Sequence, residues 1–313
     1  MASGKKKEAG GADKVYNPLF NKELGQHILK SPLVAQHIVE KAQVQPSDIV
    51  LEIGPGTGNL TMRILEVAKK VIAVERDPRL AAELVKRAQG TPHFSKLHLI
   101  VGDFMQVPLP FFDVCISNTP YQISSPLTFK LLNHRPQFRC AVLMFQREFA
   151  MRLVGRPGDD FYCRLSVNAQ LLSNIVHVMK VSKNSFRPPP QVESSVVRMT
   201  PYSPPPALDF PDWDGLLRVL FLRKNKTLAA NFKSGDLFKV IHDNHMRRNP
   251  QANVSEAELK DRTMKILEES GFAQQRSSKM KKEEYLELFQ KFNQAGIHFE
   301  NAFGANSSTN DDY

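Results

Sequence analysis

Ile49-Val-Leu-Glu-Ile-Gly-Pro-Gly-Thr-Gly58 is the stretch on which the fold turns. Five residues of strand character run directly into three closely spaced glycines, and an amphipathic segment, 60–67, follows. Glycine lets the backbone turn tightly and come close to a ligand, so this reads as a strand, a turn and the start of a helix. Working outward, Val71-Ile-Ala-Val74 is a second strand and 78–88 a second helix, with Pro78 at its first position. Residues 97–101, 113–117 and 139–145 read as further strands. Such alternation predicts an α/β fold, a doubly wound and mostly parallel sheet with helices on both faces. Ligands in these sheets sit at the carboxyl ends of the strands.

The texture changes after the second of two proline clusters, 188–190 and 204–206. A strand-like run, Ser195-Val-Val-Arg-Met199, precedes it; after it Trp213, Leu216, Leu217, Leu220 and Phe221 recur at helical spacing, as do apolar residues in 256–269 and 283–292. The expected organisation is a basic arm without order at 1–14, an α/β domain at 15–206, a smaller helical domain at 207–303 and a frayed tail at 304–313.

The chain has 313 residues, 42 Lys and Arg against 32 Asp and Glu, and 42% hydrophobic residues, enough for a full core. A surplus of ten positive charges favours a polyanionic partner, nucleic acid first. That surplus lies in residues 1–206, with 26 basic and 16 acidic side chains; 207–313 carry 16 of each. No apolar run is long enough for a membrane span. The N-terminus lacks the apolar core of a signal peptide, and with Glu8 and Asp13 but no Arg before residue 14 it is unlike a mitochondrial presequence. Cys115, Cys140 and Cys163 are too scattered for a disulfide framework or a zinc site, which points to a reducing compartment. His242 and His245 have no neighbouring ligand set, so no metal is expected.

Acidic residues mark three successive strand ends: Glu52, Glu75 and Asp103. Each alone suits an ordinary loop. Together with the glycine turn at Gly54 and Gly56 they suit a cationic adenosyl ligand rather than a pyrophosphate, which a carboxylate would repel. Glu75 is placed to accept from ribose hydroxyls and Asp103 from an adenine amine, with Phe104 as a stacking face. The spacing of the glycines also departs from the dinucleotide fingerprint. The ligand expected is S-adenosylmethionine.

Asn118-Thr-Pro-Tyr121 follows the next strand. Taken alone it is an acceptable turn. Its position beside the cofactor residues suggests chemistry on an adenine amine, whose lone pair is delocalised into the ring. Hydrogen bonds accepted from both N–H groups pull the nitrogen toward tetrahedral geometry. The Asn118 side-chain oxygen and the Thr119 main-chain carbonyl, fixed by Pro120, are the acceptors expected. Tyr121 would stack on a base that is unpaired or flipped out.

With these motifs go Leu24-Gly-Gln-His-Ile-Leu29, Gly102-Asp-Phe104 and Phe186-Arg-Pro-Pro-Pro190. The set, in order over roughly residues 20–300, resembles the small-subunit ribosomal RNA adenine N6,N6-dimethyltransferase family in its eukaryotic nuclear form. The resemblance implies a Rossmann-like class I S-adenosylmethionine-dependent methyltransferase with a C-terminal helical domain. It places Gln26, His27 and Leu29 against the cofactor, Gly54, Glu75, Asp103 and Asn118 around it, and Phe186 opposite Tyr121 as a second wall on the target adenine. Where the family often has Leu this chain has Thr119, whose main chain alone is expected to act. From the residues themselves, His27 reads as a loop histidine and Phe186 as a core aromatic.

Two basic runs are candidate RNA contacts: Arg223, Lys224, Lys226 and Lys233, and a second edge with Arg147 and Arg152. The implied partners are small-subunit rRNA, the pre-ribosomal particle and other assembly factors. Neither membrane nor metal is expected, and the protein is expected to be a monomer off the ribosome. The implied location is the nucleus and nucleolus, extending to the cytoplasm on late pre-ribosomes. Two alternatives stay open: a mitochondrial rRNA dimethyltransferase or transcription factor, and an assembly factor whose catalysis is dispensable. A DNA adenine methyltransferase is disfavoured, since no separate sequence-reading domain is visible.

Overall fold

The computed structural model describes residues 27–233 and 235–303. Gln26, the arm at 1–14 and the tail at 304–313 lie outside the described residues. The chain opens with a short strand β1 (Ile28–Leu29) and helix α1 (Pro32–Ala42), capped by Ser31 Oγ and begun by a proline. Then come β2 (Ile49–Ile53), α2 (Asn59–Val67), β3 (Lys70–Glu75), α3 (Pro78–Gln89), β4 (Leu97–Val101), β5 (Val114–Asn118), α4 (Ser124–Leu132) and β6 (Cys140–Gln146). Helices α5 (Arg147–Val154) and α6 (Arg164–Leu172) lead to β7 (Ser173–Val181), β8 (Phe186–Arg187) and β9 (Ser194–Pro201). The remainder is helical: α7 (Phe210–Phe221), α8 (Leu228–Asn231), α9 (Leu237–Arg248), α10 (Glu256–Glu269) and α11 (Lys282–Gln294).

Seven strands form one sheet in the order β4-β3-β2-β5-β6-β9-β7. The first five are mutually parallel, and β9 runs antiparallel to both β6 and β7. The chain winds outward from β2 to β4, then returns to β5 on the other side of β2. The topological switch point therefore falls between β2 and β5. Register makes this gap a site: Ile53 pairs with Val74 on one side and Ser117 on the other, so the loops after β2, β3 and β5 leave the sheet level with one another.

Side-chain alternation divides each strand between two apolar layers. Leu51, Ile53, Ile72, Val74 and Leu143 join one layer with α4 and α6. Val50, Val71, Val114, Ile116 and Met144 join the other with α1 and α2. A third cluster centres on Trp213, Leu216, Leu220, Phe292 and Phe299, and takes in Val167 and Leu171 of α6. A buried polar junction fastens α6 to α7. Asp214 accepts from Arg164 Nη1 at 3.1 Å and from Asn168 Nδ2 at 2.5 Å, while Asn168 Oδ1 accepts from Trp213 Nε1 at 2.9 Å. Each charged group there has a partner of the opposite sign or a hydrogen bond, the condition under which buried charge is tolerated.

The segment after α11 crosses back over α7 at Gly215. Asp212 holds it through His298 Nδ1 at 2.8 Å and the Phe299 N–H at 2.5 Å, and a Cβ on Gly215 would lie inside van der Waals contact with the Phe299 carbonyl. Among the described residues no helix is long and apolar enough to cross a membrane.

Candidate active site

A single cavity at the switch point gathers residues from five loops: His27 to Leu29, Ile53 to Gly56, Glu75 and Arg76, Gly102 to Phe104, and Asn118 to Ile123. The glycine turn builds its floor. Gly54 N donates to Val74 O at 2.9 Å, carrying the sheet ladder one residue beyond β2. Gly54 and Gly56 have φ of +65° and +58°, a region that side chains rarely adopt. A Cβ on Gly54 would lie 3.6 Å from the Pro120 ring, in the gap between this turn and the loop after β5.

Glu75 is fixed by two main-chain donors, Gly56 N to Oε2 at 3.0 Å and Asp77 N to Oε1 at 2.9 Å. Burial raises its pKa, and those N–H groups oppose the rise. Asp103 Oδ1 accepts from Met105 N at 2.9 Å, and Oδ2 lies 3.9 Å from Arg76 Nη1. Phe104 lines the cavity from a nearly buried position. With two carboxylates, an aromatic wall and Arg76 as the one Lys or Arg among the lining residues, the cavity suits a cationic adenosyl group rather than a phosphate.

Lys130, on α4, escaped the sequence reading and has a clear function in the architecture. Its Nζ donates to the carbonyls of Phe104 at 2.6 Å, Met105 at 3.0 Å and Val107 at 2.7 Å, and lies 4.9 Å from the centre of the Phe104 ring. Three carbonyls converging on one ammonium fix the loop that carries Asp103 and Phe104. Lys130→Met keeps the stem and removes the charge. We expect it to weaken cofactor binding about tenfold, in line with the loss of a charge-assisted contact; calorimetric titration with S-adenosylmethionine checks this, and unchanged affinity would count against it.

The loop after β5 carries the acceptors. Asn118 Nδ2 donates to His27 O at 2.9 Å, which takes the donor end of the amide and leaves its oxygen as the end for a ligand. Thr119 N is tied to Met144 O at 3.1 Å, Pro120 O accepts from Ile123 N, and Tyr121 O accepts from Ser124 Oγ. Among the described residues no donor reaches Thr119 O. Tyr121 Oη is 2.6 Å from Ser194 Oγ, and its phenol is raised by burial and lowered in part by that serine.

Three expectations need correction. Phe186 does not line the cavity. It is 1% exposed, pairs with Leu29 in a two-residue antiparallel clip, and packs with Ile38, Val39 and Val196, because strand alternation turns its ring inward and Arg187 outward. The ring that faces Tyr121 is His27, with centroids 5.9 Å apart and a 30° tilt, anchored by Nδ1 on Pro188 O at 3.0 Å. Glu52 is also buried away from the cavity, 1% exposed, with neither carboxyl oxygen completing a hydrogen bond. Finally, the basic run after α7 is partly spoken for. Arg223 donates to Ala230 O and Asn231 Oδ1, and Lys224 Nζ to Asp160 O at 2.8 Å, whereas Lys226 and Lys233 are exposed. Arg152 pairs with Glu148 at 2.8 Å, and Arg147 is exposed.

Glu52 carries a consequence for stability. Burial pushes its pKa up to about 8, opposed in part by nearby Thr61 and reinforced by the charge of Glu75. Between the usual carboxylate range and about pH 8 the folded protein holds a proton that the unfolded chain has released. Stability from this group therefore falls as pH rises through that window, by at most about 1.4 kcal/mol per unit. Glu52→Gln should flatten the fall, measured as urea midpoints between pH 5 and 9.

Comparison with known proteins identifies the family and the fold. The family model described as ribosomal RNA adenine dimethylase matches residues 17–269. A dimethyladenosine transferase of Kluyveromyces lactis is 57% identical over 289 residues, 90% of each chain. That of Saccharomyces cerevisiae is 54% identical over 288 residues, 90% of this chain and 91% of its own. A crystal structure of a dimethyladenosine transferase from Plasmodium falciparum superposes with a TM-score of 0.81 at 41% identity, covering 87% of this chain and 100% of that one. A 23S rRNA methyltransferase shares the fold, with a TM-score of 0.62 at 24% identity over 85% of this chain and 99% of its own. The chain belongs to the ribosomal RNA adenine dimethylase family and is a methyltransferase that uses S-adenosylmethionine.

Proposed function

We propose that this protein methylates the exocyclic amines of two adjacent adenosines in the 3′-terminal hairpin loop of small-subunit rRNA, giving N6,N6-dimethyladenosine in each. The reading places it in the nucleus and nucleolus, on pre-ribosomal particles, as a monomer off the ribosome that also serves as an assembly factor among others. The observation that carries the chemistry is the Asn118 amide, held by His27 O at 2.9 Å with its oxygen at the cavity.

When bound, S-adenosylmethionine supplies an electrophilic methyl group on a sulfonium. The chain's own residues supply position. Glu75, already carrying two main-chain hydrogen bonds, accepts from the ribose hydroxyls with its remaining lone pairs. Asn118 Oδ1 and Thr119 O accept the two adenine N–H groups, localise the nitrogen lone pair and aim it. Tyr121 supports the base, its orientation set by Ser194. No strong base is needed, since the methylated ammonium is acidic and sheds its proton to water. Holding the reactants in line contributes most of the acceleration.

Labelled S-adenosylmethionine and immature small-subunit particles provide the test. Label in dimethyladenosine of the 3′-terminal hairpin is expected, and label confined to other nucleotides would move the target. Glu75→Ala should weaken cofactor binding by about 10–100-fold, the range for a hydrogen bond to a charged group, read by calorimetry. Assembly and catalysis are separated by asking whether an Asn118→Ala chain still supports subunit maturation.

A further inference from the structure

The strand ends beside Tyr121 form a second feature, separate from the cofactor cavity. Ser194, which holds Tyr121 Oη, opens β9 and stands in register with Gln146 at the end of β6 and Val181 at the end of β7. One step from these three positions lie Glu193, Arg147 and Lys180. They line a common groove with Lys183, Phe161 and Val192. The groove thus begins one residue from the side chain that orients the stacking tyrosine.

Its charge is positive in effect. Arg147, Lys180 and Lys183 are exposed and make no ion pair among the described residues. Of the two carboxylates present, Glu148 is paired with Arg152 at 2.8 Å, which leaves Glu193 against three cations. The neighbouring His177 registers that field: its pKa is pushed down first by burial, then by Lys180 and Arg147. Phe161 is half-buried and Val192 is 46% exposed, so the same groove offers an apolar surface between its cations.

We infer that this groove binds the unpaired RNA strand flanking the target adenosine, with Arg147, Lys180 and Lys183 on its phosphates and Phe161 against a neighbouring base. The inference rests on the proposed rRNA substrate and deepens it. An adenosine entering beside Tyr121 must leave its stack, and in the proposed hairpin loop the nucleotides next to it have no base-pairing partners to hold them. A cationic track with an aromatic face is the surface that accepts such a strand. The groove's cations are free to do so, whereas Arg223 and Lys224 are engaged with their own main chain.

The test compares two exposed pairs in the full chain, Lys180→Ala with Lys183→Ala and, at the amino end of β3 toward the opposite edge of the sheet, Lys69→Ala with Lys70→Ala. Methyl transfer is measured across a salt series on immature small-subunit particles and on a protein-free rRNA hairpin, alongside cofactor affinity and thermal midpoint. For the groove pair we expect a KM for RNA about tenfold higher on both substrates, with kcat, cofactor affinity and midpoint at wild-type values. The slope of log affinity against log salt should become shallower by about 1.4, at about 0.7 for each phosphate contact to a single strand. Unchanged KM and slope would overturn the inference. So would an equal effect in the other pair, which indicates diffuse charge, or an effect on the particle alone, which indicates a protein contact. Failure of the underlying rRNA reading shows separately, as wild-type protein that labels neither substrate.

Discussion

Asn118→Ala should lower the rate of methyl transfer on the order of 10²–10³-fold, the cost typical of deleting one preorganised polar group at a reacting centre. The change removes the oxygen that accepts an adenine N–H and leaves His27 O without its donor. Asn118→Asp is the sharper comparison. It retains an acceptor of the same size, but its carboxylate has no N–H to give His27 O and meets that carbonyl's negative end instead. The Asp variant should therefore also fail, though the position keeps an oxygen. Single-turnover transfer from labelled cofactor to rRNA measures both, and an Ala variant within threefold of wild type would remove Asn118 from the chemistry.

Gly215→Ala should destabilise the protein by about 3 kcal/mol, at the upper end of overpacking penalties. Helix propensity alone has the opposite sign, since Ala in a helix interior is favoured over Gly by roughly 0.5–1 kcal/mol. The new methyl would fall on the Phe299 carbonyl, which is main chain and cannot swing aside as a side chain does. The crossing segment has little freedom to withdraw. Asp212 holds it at His298 and Phe299, and Asn244 Nδ2 donates to the carbonyls of His298 at 3.1 Å and Glu300 at 2.7 Å. Urea unfolding of the variant measures the loss; a variant as stable as wild type would mean that the segment lifts off α7 at little cost.

Much of the α/β framework was legible because strands buried on both faces read as continuous apolar runs, and the helices between them show one apolar stripe. The site was legible for a related reason. Parallel strands deliver their carboxyl ends to one edge, so Gly54, Glu75, Asp103 and Asn118 could be assigned to one cavity from strand order alone. Helix α6 was not visible, since Arg164, Ser166 and Asn168 are buried polar residues that break the amphipathic pattern. Strand β7 alternates irregularly, with a register shift between His177 and Met179. Lys130 resembles any helical lysine; its three carbonyl partners come from a loop more than twenty residues earlier. Glu52 failed for the converse reason: its residue type suited the chemistry, but strand alternation pointed it into the core. Phe186 was placed at the site by the family resemblance alone, and it is the core aromatic that its own residues suggested. In the basic run, charge was visible and its internal hydrogen bonds were not.

The clip between β1 and β8 bears on the order in which the protein is made. His27 sets the amide of Asn118, 91 residues later, and is itself seated on Pro188, 161 residues later. Contacts this distant in the chain are reached late in folding, because the intervening loop must close before they form. During synthesis the glycine turn, Glu75 and Asn118 all emerge before the segment that seats His27. The residues that meet the cofactor are therefore all made before Pro188, which seats His27, and before Ser194, which holds Tyr121. The two contacts that align the acceptor side of the cavity are supplied by the last part of the α/β domain to be synthesised.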